Sequence, residues 1–433
     1  MPSDVITRRT ALLSAVAALC CSTLGCNRRS GSDTVLDFWT WALRPRFDDY
    51  VTRLVAAFEE ANPGVRVRWT DVAADAMRRK AFAAGAAGTL PDVINFSDQH
   101  FAQFAGLDAL LPIDDKLPGD PTSQFVAGPL EANRIDGRLV GLPWYLSTTI
   151  RVMNAELLAA GGLSPETVGG DWRTLLEQAG PFKERTGSYL LSLPLGDRSD
   201  LPPMMLADGI EIVRPHADGG YHAALTTPEA IEFVTLFVDA FRDGRLPRDT
   251  STGGYEAMVN GMAGETVALI NANALNRIRN KSERVYDKLI VAPSVVGKLG
   301  VPGVAVTHVA VGRQTKHPEL AAKLAWHVTS PEWQTELAIE AGRVPSTIES
   351  LSDPAFNRTG DLQEKATSLS VEQLSSARSF AAPTATWPDL RRVFDDGMRR
   401  ILIDNAEVES TLRDVESEWN RILRADAAGM PWR

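Results

Sequence analysis

The sequence predicts an α/β fold in two lobes, and three observations lead to this expectation. Strand and helix candidates alternate through the first hundred residues after the N-terminal segment, which is typical of a parallel sheet covered by helices. The last quarter instead shows helical spacing without strand candidates, as at Leu412, Val415 and Trp419. The chain has 433 residues, more than a single hydrophobic core usually serves, so two lobes are expected.

The first elements have the order of a βαβ unit. Residues 35–39 form a short, mostly apolar strand candidate, and the apolar side chains of 51–58 recur at i, i+3, i+4 and i+7, as on one face of a helix. Asn62-Pro63-Gly64 ends that helix. In the segment 65–69 apolar residues alternate with arginines, as in a half-exposed strand. The order predicts a parallel strand pair with a right-handed crossover.

The same order then repeats. Residues 72–88 are a helix candidate, and 91–96 read as a buried strand. Open α/β sheets bind ligands at the carboxyl ends of their strands. We therefore expect the segments just after Trp39 and just after Phe96 to line one crevice.

The N-terminal segment 1–25 has the layout of an export signal. Arg8 and Arg9, in a twin-arginine-like setting, precede an uncharged run too short to span a bilayer comfortably. Leu24-Gly25-Cys26 is similar to the end of a bacterial lipobox, so lipidation of Cys26 and a tether over 26–33 are expected. An uncleaved anchor helix is the alternative. All three cysteines lie within the first 26 residues, so no disulfide is expected in the folded part.

Charge and motifs favour binding over catalysis. The formal net charge is −10, which argues against nucleic acid as a partner. The six histidines are scattered, so neither a metal site nor a cofactor is expected. Phosphate-loop, nucleophile-elbow, zinc-protease and Cys-x-x-Cys patterns are absent from the sequence. A glycosidase would need two facing carboxylates, an arrangement that sequence alone leaves open.

Five stretches, in order, resemble one family. They are "LVAAFEEANPGVRVRW", "GTLPDVINFSDQHFAQFAGLDALLPIDD", "DGRLVGLPWYLSTTIRVMNAELL", "GYEAMVNGMAGETVALINA" and "VAVGRQTKHPELAAKLAWHVTSPEWQ". Together they resemble extracellular solute-binding proteins of family 1, the carbohydrate-binding group of bacterial ATP-driven importers, which includes maltodextrin-binding proteins. The resemblance runs from about Thr34 to Leu423. It implies a two-lobed periplasmic-binding-protein fold (type II), with the ligand between lobes joined at a hinge.

The resemblance also implies where the chain crosses between lobes. Gly141-Leu142-Pro143-Trp144 matches the segment that leaves the first lobe, and the segment around 285–295 matches the return. The first lobe would then comprise 34–145 plus 287–317. The second would comprise 146–286 plus 318–433, including the C-terminal helices.

A sugar site needs flat aromatic rings for the apolar faces of the sugar and a few fixed hydrogen-bonding groups for its hydroxyls. Position after a strand, together with the resemblance, indicates the following candidate ligand-binding residues: Trp41, Phe96, Asp98, Gln99, Trp144, Tyr145, Asn271, Asn273, Thr307, His308, Arg343 and Trp387.

Several of these candidates have a second interpretation. Asp98 could accept hydrogen bonds from sugar hydroxyls or could cap a helix. Adjacent aromatics in an extended segment point to opposite sides, and Trp144 is preferred over Tyr145 for the cleft. His308 could equally be structural. Arg343 could clamp an acidic sugar or a phosphate, or pair with a carboxylate at the hinge.

The sequence therefore predicts a monomeric, lipid-anchored, extracytoplasmic receptor without enzymatic activity. It would capture a sugar or related polyol by hinge closure and deliver it to the permease of an ABC-type transporter. A binding protein for a glycerophosphodiester or another non-sugar solute remains an alternative. A secreted carbohydrate-active enzyme is a further one.

Overall fold

The computed structural model describes residues 34–427 except 136, 217–219, 383 and 385. The predicted export signal, Cys26 and the tether lie outside these residues. Within the described part of the chain, no helix combines the length and the apolar character needed to cross a membrane.

In chain order the strands are β1 Thr34–Trp41, β2 Val65–Val72, β3 Val93–Ser97, β4 Arg134–Ile135, β5 Arg138–Leu139, β6 Gly141–Thr148, β7 Ile150–Asn154, β8 Tyr189–Leu191, β9 Val213–Pro215, β10 Tyr221–Ala223, β11 Val267–Asn271, β12 Leu289–Pro293, β13 Val304–Val311 and β14 Val344–Pro345. The α-helices are α1 Asp48–Ala61, α2 Ala74–Ala86, α3 Asp98–Gly106, α4 Pro121–Gln124, α5 Ala127–Glu131, α6 Ala155–Ala160, α7 Trp172–Thr186, α8 Leu201–Ala207, α9 Pro228–Arg242, α10 Gly254–Ala263, α11 Leu275–Lys281, α12 Glu283–Tyr286, α13 Pro318–Val328, α14 Pro331–Ala341, α15 Ile348–Leu351, α16 Leu362–Gln373, α17 Trp387–Leu402 and α18 Val408–Ala427. Short 3-10 turns occupy Arg248–Ser251 and Pro354–Asn357.

The first lobe is built on the larger sheet. Among the described residues this sheet has six strands in the order β14-β6-β13-β3-β1-β2. Strand β1 pairs in parallel with both β2 and β3, which confirms the βαβ order predicted from the sequence. Strand β13 runs antiparallel between β3 and β6. Apolar side chains of β3 alternate between two cores, with Val93 facing α1 and α13, and Ile94 facing α2 and α3.

Helix α1 illustrates why the sequence folds as it does here. Its buried residues Tyr50, Val51, Leu54 and Phe58 lie on one face, as their spacing predicts. Two aspartates in its first turn complement the positive end of the helix dipole. The chain then reverses at Gly64, whose φ of +87° is accessible to glycine at little cost.

The second lobe is built on a smaller sheet with a large helical core. In the described part of the chain its order is β12-β7-β11-β8. Strand β7 is antiparallel to both β11 and β12, whereas β8 is parallel to β11. Helices α7, α9, α17 and α18 bury their apolar faces in one continuous core, to which Phe237 and Trp419 contribute fully buried rings.

The linking segments meet at one junction. Thr149 separates β6 of the first sheet from β7 of the second, and its hydroxyl lies 2.6 Å from that of Ser294, directly after β12. Gln373, the last residue of α16, bridges both segments. Its Oε1 accepts from the backbone N–H of Ser294 at 2.8 Å, and its Nε2 donates to the carbonyl of Thr149 at 3.2 Å.

Two segments lie in a different lobe from the one that the sequence indicated. Strand β12, placed by the sequence in the first lobe, pairs over its whole length with β7 of the second sheet. Helices α13 and α14, placed by the sequence in the second lobe, pack into a first-lobe core through Leu324 and Leu337. The crossing out of the first sheet lies at Thr149, since all of β6, including Leu146, belongs to that sheet.

Candidate functional site

A cleft of about 830 Å³ lies between the two lobes. Its first wall comes from the ends of β1 and β3, from β6 and β13, and from the turn after α14. Its second wall comes from the segment after β11, from α8 and α10, and from the start of α17. Several of the residues indicated by the sequence line this cleft: Trp41, Asp98, Tyr145, Asn273, Thr307, Arg343 and Trp387.

Parallel strands explain why Trp41 and Asp98 lie in the same wall. Trp41 is the last residue of β1, and Asp98 follows the last residue of β3. Because β1 and β3 are parallel neighbours, their carboxyl ends lie at the same edge of the sheet. The backbone N–H of Trp41 donates to Oδ1 of the buried Asn95 at 3.1 Å, which ties the two strand ends together.

Asp98 is held from behind by two donors. Its Oδ2 accepts from the backbone N–H of Val306 at 2.8 Å, and its Oδ1 lies 2.9 Å from Nε2 of His308. Each carboxylate oxygen keeps a second lone pair, and about a fifth of the side chain remains exposed at 21 %. Asp98 can therefore accept hydrogen bonds from a ligand without giving up its own anchors.

His308 lies behind the cleft wall and does not line it. Its side chain is 1 % exposed and stacks on Phe101, with ring centroids 4.0 Å apart. Its Nδ1 lies 2.8 Å from Oδ1 of Asn133, whose Nδ2 donates to the carbonyl of Pro129. His308 thus links Asp98 to Asn133 behind the wall.

Three other candidates also lie away from the cleft, and the side chain of a fourth is not described by the structure. Phe96 is 1 % exposed and stacks on Phe104, because β3 is buried on both faces. Trp144 is fully buried in a first-lobe core, while its neighbour Tyr145 lines the cleft, the reverse of the preference drawn from the sequence. Asn271 accepts from the backbone N–H of Val295 and thereby supports the linking segment. The side chain of Gln99 lies outside the described part of the structure.

The second wall centres on the first turn of α17. Trp387 begins this helix and lines the cleft, but only 2 % of it is exposed because it packs against Trp419 at 6.0 Å. Arg391 lies one turn further along the same face, with its guanidinium over the Trp387 ring at 5.8 Å. Its Nη2 donates to the carbonyl of Ser199, whereas its buried Nε has no hydrogen-bond partner among the residues that the structure describes.

Two carboxylates lie close to Arg391. Burial raises the pKa of Asp200 to about 6, against the opposing effect of Arg391. Burial also raises the pKa of Asp395, although backbone N–H donors and Arg391 act in the opposite direction. Asp395 accepts from the backbone N–H groups of Arg198 and Ser199 at 3.1 and 3.0 Å. This group of charges lies under the aromatic part of the second wall.

Two tyrosines add neutral hydroxyl groups to the cleft. Burial raises the pKa of Tyr145 in the first lobe, with Thr307 and Arg343 acting the other way. Burial likewise raises the pKa of Tyr255 in the second lobe, with Arg277 and Arg343 acting the other way. Both phenols are therefore protonated near neutral pH, and the hydroxyl of Tyr255 donates to the carbonyl of Asn273 at 3.4 Å. The buried Nε1 of Trp41 has no hydrogen-bond partner among the described residues.

Sequence reasoning missed several residues of the cleft: Arg46, Ser147, Tyr255, Arg277, Gln363 and Arg391. Arg391 could have been found, because it lies four residues after Trp387 on a helix and therefore on the same face. Arg46 lies in the loop after β1, where the crevice was expected. No local signal marks Arg277 or Gln363. Within the described residues, no group of three or more His, Cys, Asp or Glu side chains could hold a metal ion.

Comparison with known proteins decides the family. The model of the bacterial extracellular solute-binding proteins matches residues 44–335, more than half of the chain. The chain belongs to this family. The resemblance seen in the sequence is thereby confirmed, and so is the two-lobed α/β fold.

Known proteins similar to this solute-binding protein share nearly its whole length. A Synechococcus protein, described only provisionally as an oligosaccharide periplasmic-binding protein, is 27 % identical with a TM-score of 0.82, and the match covers 90 % of this chain and 99 % of that one. The GacH receptor of Streptomyces glaucescens is 18 % identical with a TM-score of 0.74, over 90 % and 99 % of the two chains. An uncharacterised lipoprotein of Streptomyces antibioticus is 21 % identical over 420 residues, 95 % of this chain and 92 % of its own. Family membership indicates an extracytoplasmic location.

Proposed function

We propose that this solute-binding protein captures a carbohydrate between its lobes and delivers it to the permease of an ABC-type importer, as a monomer anchored by lipid on Cys26. The observation that carries the proposal is the composition of the cleft. Aromatic rings of Trp41, Tyr145 and Tyr255 line it together with fixed hydrogen-bonding groups from both lobes. Aromatic faces with a few convergent polar groups match the chemistry of a sugar ring.

The two walls contribute different groups to ligand recognition. In the first wall, Asp98 accepts from sugar hydroxyls while His308 and Val306 hold it in place. In the second wall, Trp387 supplies an aromatic ring and Arg391 a guanidinium beside it. A ligand that contacts both walls binds the closed form of the protein more tightly than the open form. It shifts the equilibrium between these forms only by that difference in binding free energy. The protein's task is thus differential binding, without bond making.

Solved structures support a carbohydrate as the ligand. The GacH receptor was crystallised with acarbose and an acarbose homologue, and the Synechococcus protein is assigned to oligosaccharides. The lipoprotein relative from Streptomyces antibioticus supports a lipid anchor. A phosphodiester ligand, the alternative built on Arg343 with His308, loses one of its two residues, because His308 is buried behind Asp98.

Thermal unfolding of residues 27–433 against mono- and oligosaccharides, polyols and phosphodiesters tests the proposal. A ligand at a hundred times its dissociation constant stabilises the folded state by about 2.7 kcal/mol, which shifts the melting temperature measurably. We expect stabilisation by one class of sugar, with the sugar recovered intact after incubation. Recovery of a cleaved sugar would indicate an enzyme, and absence of any shift across the sugars would contradict the carbohydrate assignment.

A further inference from the structure

Positive charge is concentrated in the cleft of an otherwise acidic chain. The formal net charge of the sequence is −10. Among the described lining residues, however, four are arginines, namely Arg46, Arg277, Arg343 and Arg391, and a single one, Asp98, is a carboxylate. Binding of a neutral sugar does not require this excess of arginines over carboxylates.

Two of these arginines lack an acidic partner in the described part of the chain. Arg46 donates through Nη2 to the carbonyl of Glu340, three residues before Arg343. Arg343 donates through Nη1 to the hydroxyl of Ser147 at 3.1 Å. Neither guanidinium has a carboxylate of a described residue within 4.0 Å. Desolvating such charges on closure is costly unless a negative group pairs with them.

Arg277 brings a third positive charge from the opposite lobe. It forms an ion pair with Glu256, in which both side chains are more than half exposed, at 59 % and 52 %. Burial raises the pKa of Tyr255, and the charges of Arg277 and Arg343 both oppose that rise, so the two guanidinium groups act on the same phenol from the two walls. We name Arg46, Arg277 and Arg343 the arginine cluster.

The remaining charges of the cleft are already balanced. Asp98 is engaged by His308 and by the backbone N–H of Val306. Arg391 has Asp200 and Asp395 as neighbours, and their negative charges favour its charged form. Neither residue therefore supplies the negative charge that the arginine cluster lacks.

We infer that the ligand carries an anionic group, the carboxylate of a sugar acid or a phosphate, which binds between the lobes at the arginine cluster. The inference deepens the proposed function and rests on it. Arginine suits this task because its planar fork of donors matches carboxylate and phosphate oxygens. An anion between Arg343 and Arg277 offsets the repulsion that closure would otherwise increase, so it favours the closed form.

Matched ligands on the mature chain test this inference. Titration calorimetry would compare an oligosaccharide of uronic acid, the same oligosaccharide with its carboxyl groups reduced to alcohols, and a glycerophosphodiester. We expect one anionic ligand to bind at least about tenfold more tightly than the neutral one, as a charge-assisted pair predicts. The preference should shrink between 50 and 500 mM salt, since screening weakens exposed charge pairs.

Variants locate the anion. R343Q and R277Q should each remove most of the preference for the charged ligand while binding of the neutral ligand persists. R53Q is the matched control, because Arg53 pairs with Glu336 outside the cleft. The wild-type salt dependence tests the inference even if one variant fails to fold.

The possible outcomes separate the two proposals. Preference for the uronic acid supports both the carbohydrate-receptor function and the anionic ligand. Binding of the phosphodiester alone supports an anionic ligand and contradicts a carbohydrate. Equal affinity for charged and neutral oligosaccharides overturns the anionic inference and leaves the receptor function standing. Failure of every ligand to bind counts against both.

Discussion

The two walls of the cleft hold their charged groups in different ways. In the first wall, Asp98 accepts from His308 and from the backbone of Val306 before any ligand arrives. In the second wall, the buried Nε of Arg391 has no hydrogen-bond partner among the described residues, and burial raises the pKa of its neighbour Asp200. The carboxylate of the first wall is therefore fixed by its own donors, whereas the charged group of the second wall combines an unpartnered donor with a carboxyl group that burial favours in its neutral form.

Truncating one tryptophan from each wall should give the largest contrast. Trp387 is 2 % exposed and belongs to the second-lobe core, so W387A should lower the free energy of unfolding by about 3–5 kcal/mol. Trp41 is half-buried at the edge of a smaller core, and W41A should cost about 1–2 kcal/mol. Urea unfolding of both variants measures the difference. Equal losses of unfolding free energy would show that the two rings contribute equally to core packing, contrary to this prediction.

Removing the anchor of Asp98 should have the next largest effect. H308L leaves the oxygens of Asp98 and Asn133 without their donors, and a buried unsatisfied group costs about 1–3 kcal/mol. We expect lower stability and weaker ligand binding, because Asp98 loses its fixed orientation. H308Q, which keeps one donor, should recover part of the affinity. Unchanged affinity in H308L would show that the first wall does not depend on its anchor.

The second wall should respond to pH through Asp200. Its pKa is raised to about 6 in the folded protein, from a usual value near 3.8. The folded state therefore holds this proton more tightly than the unfolded state, which stabilises the fold below about pH 4 and ceases to do so as pH rises through about 6.

The variant D200N cannot lose that proton. Relative to D200N, the wild type should lose on the order of 2 kcal/mol of unfolding free energy between pH 4 and 7. Asp395, with its own raised pKa, and Arg391 are present in both proteins and largely cancel in the comparison. Urea unfolding at several pH values measures the unfolding free energy of both proteins as a function of pH. A constant difference between the two proteins would contradict the raised pKa.

The part of the site that the sequence could predict follows from strand direction. Parallel strands bring their carboxyl ends together, so Trp41 and Asp98 could be placed in one wall from local patterns alone. Alternation along β6 predicts that Trp144 and Tyr145 face opposite sides. It does not say which side is the cleft, because that depends on what packs against the strand. The core packed on Trp144 is formed by helices distant in the sequence.

The lobe boundaries could not be predicted for a similar reason. Strand β12 is defined by its antiparallel pairing with β7, more than a hundred residues earlier in the chain. Helices α13 and α14 have buried faces that would fit either lobe, and only the tertiary fold selects the first. His308 was expected in the cleft, together with Thr307, from the family resemblance. Thr307 lines the cleft and His308 does not, and the strand register shifts between the two residues.

The bridge made by Gln373 has a consequence for how the lobes can move. Because one side chain binds the backbone at both Thr149 and Ser294, the linking segments are fastened at a single pivot. A motion that separated Thr149 from Ser294 would break these hydrogen bonds. The outgoing and returning segments are therefore expected to move as one unit when the lobes change their relative orientation.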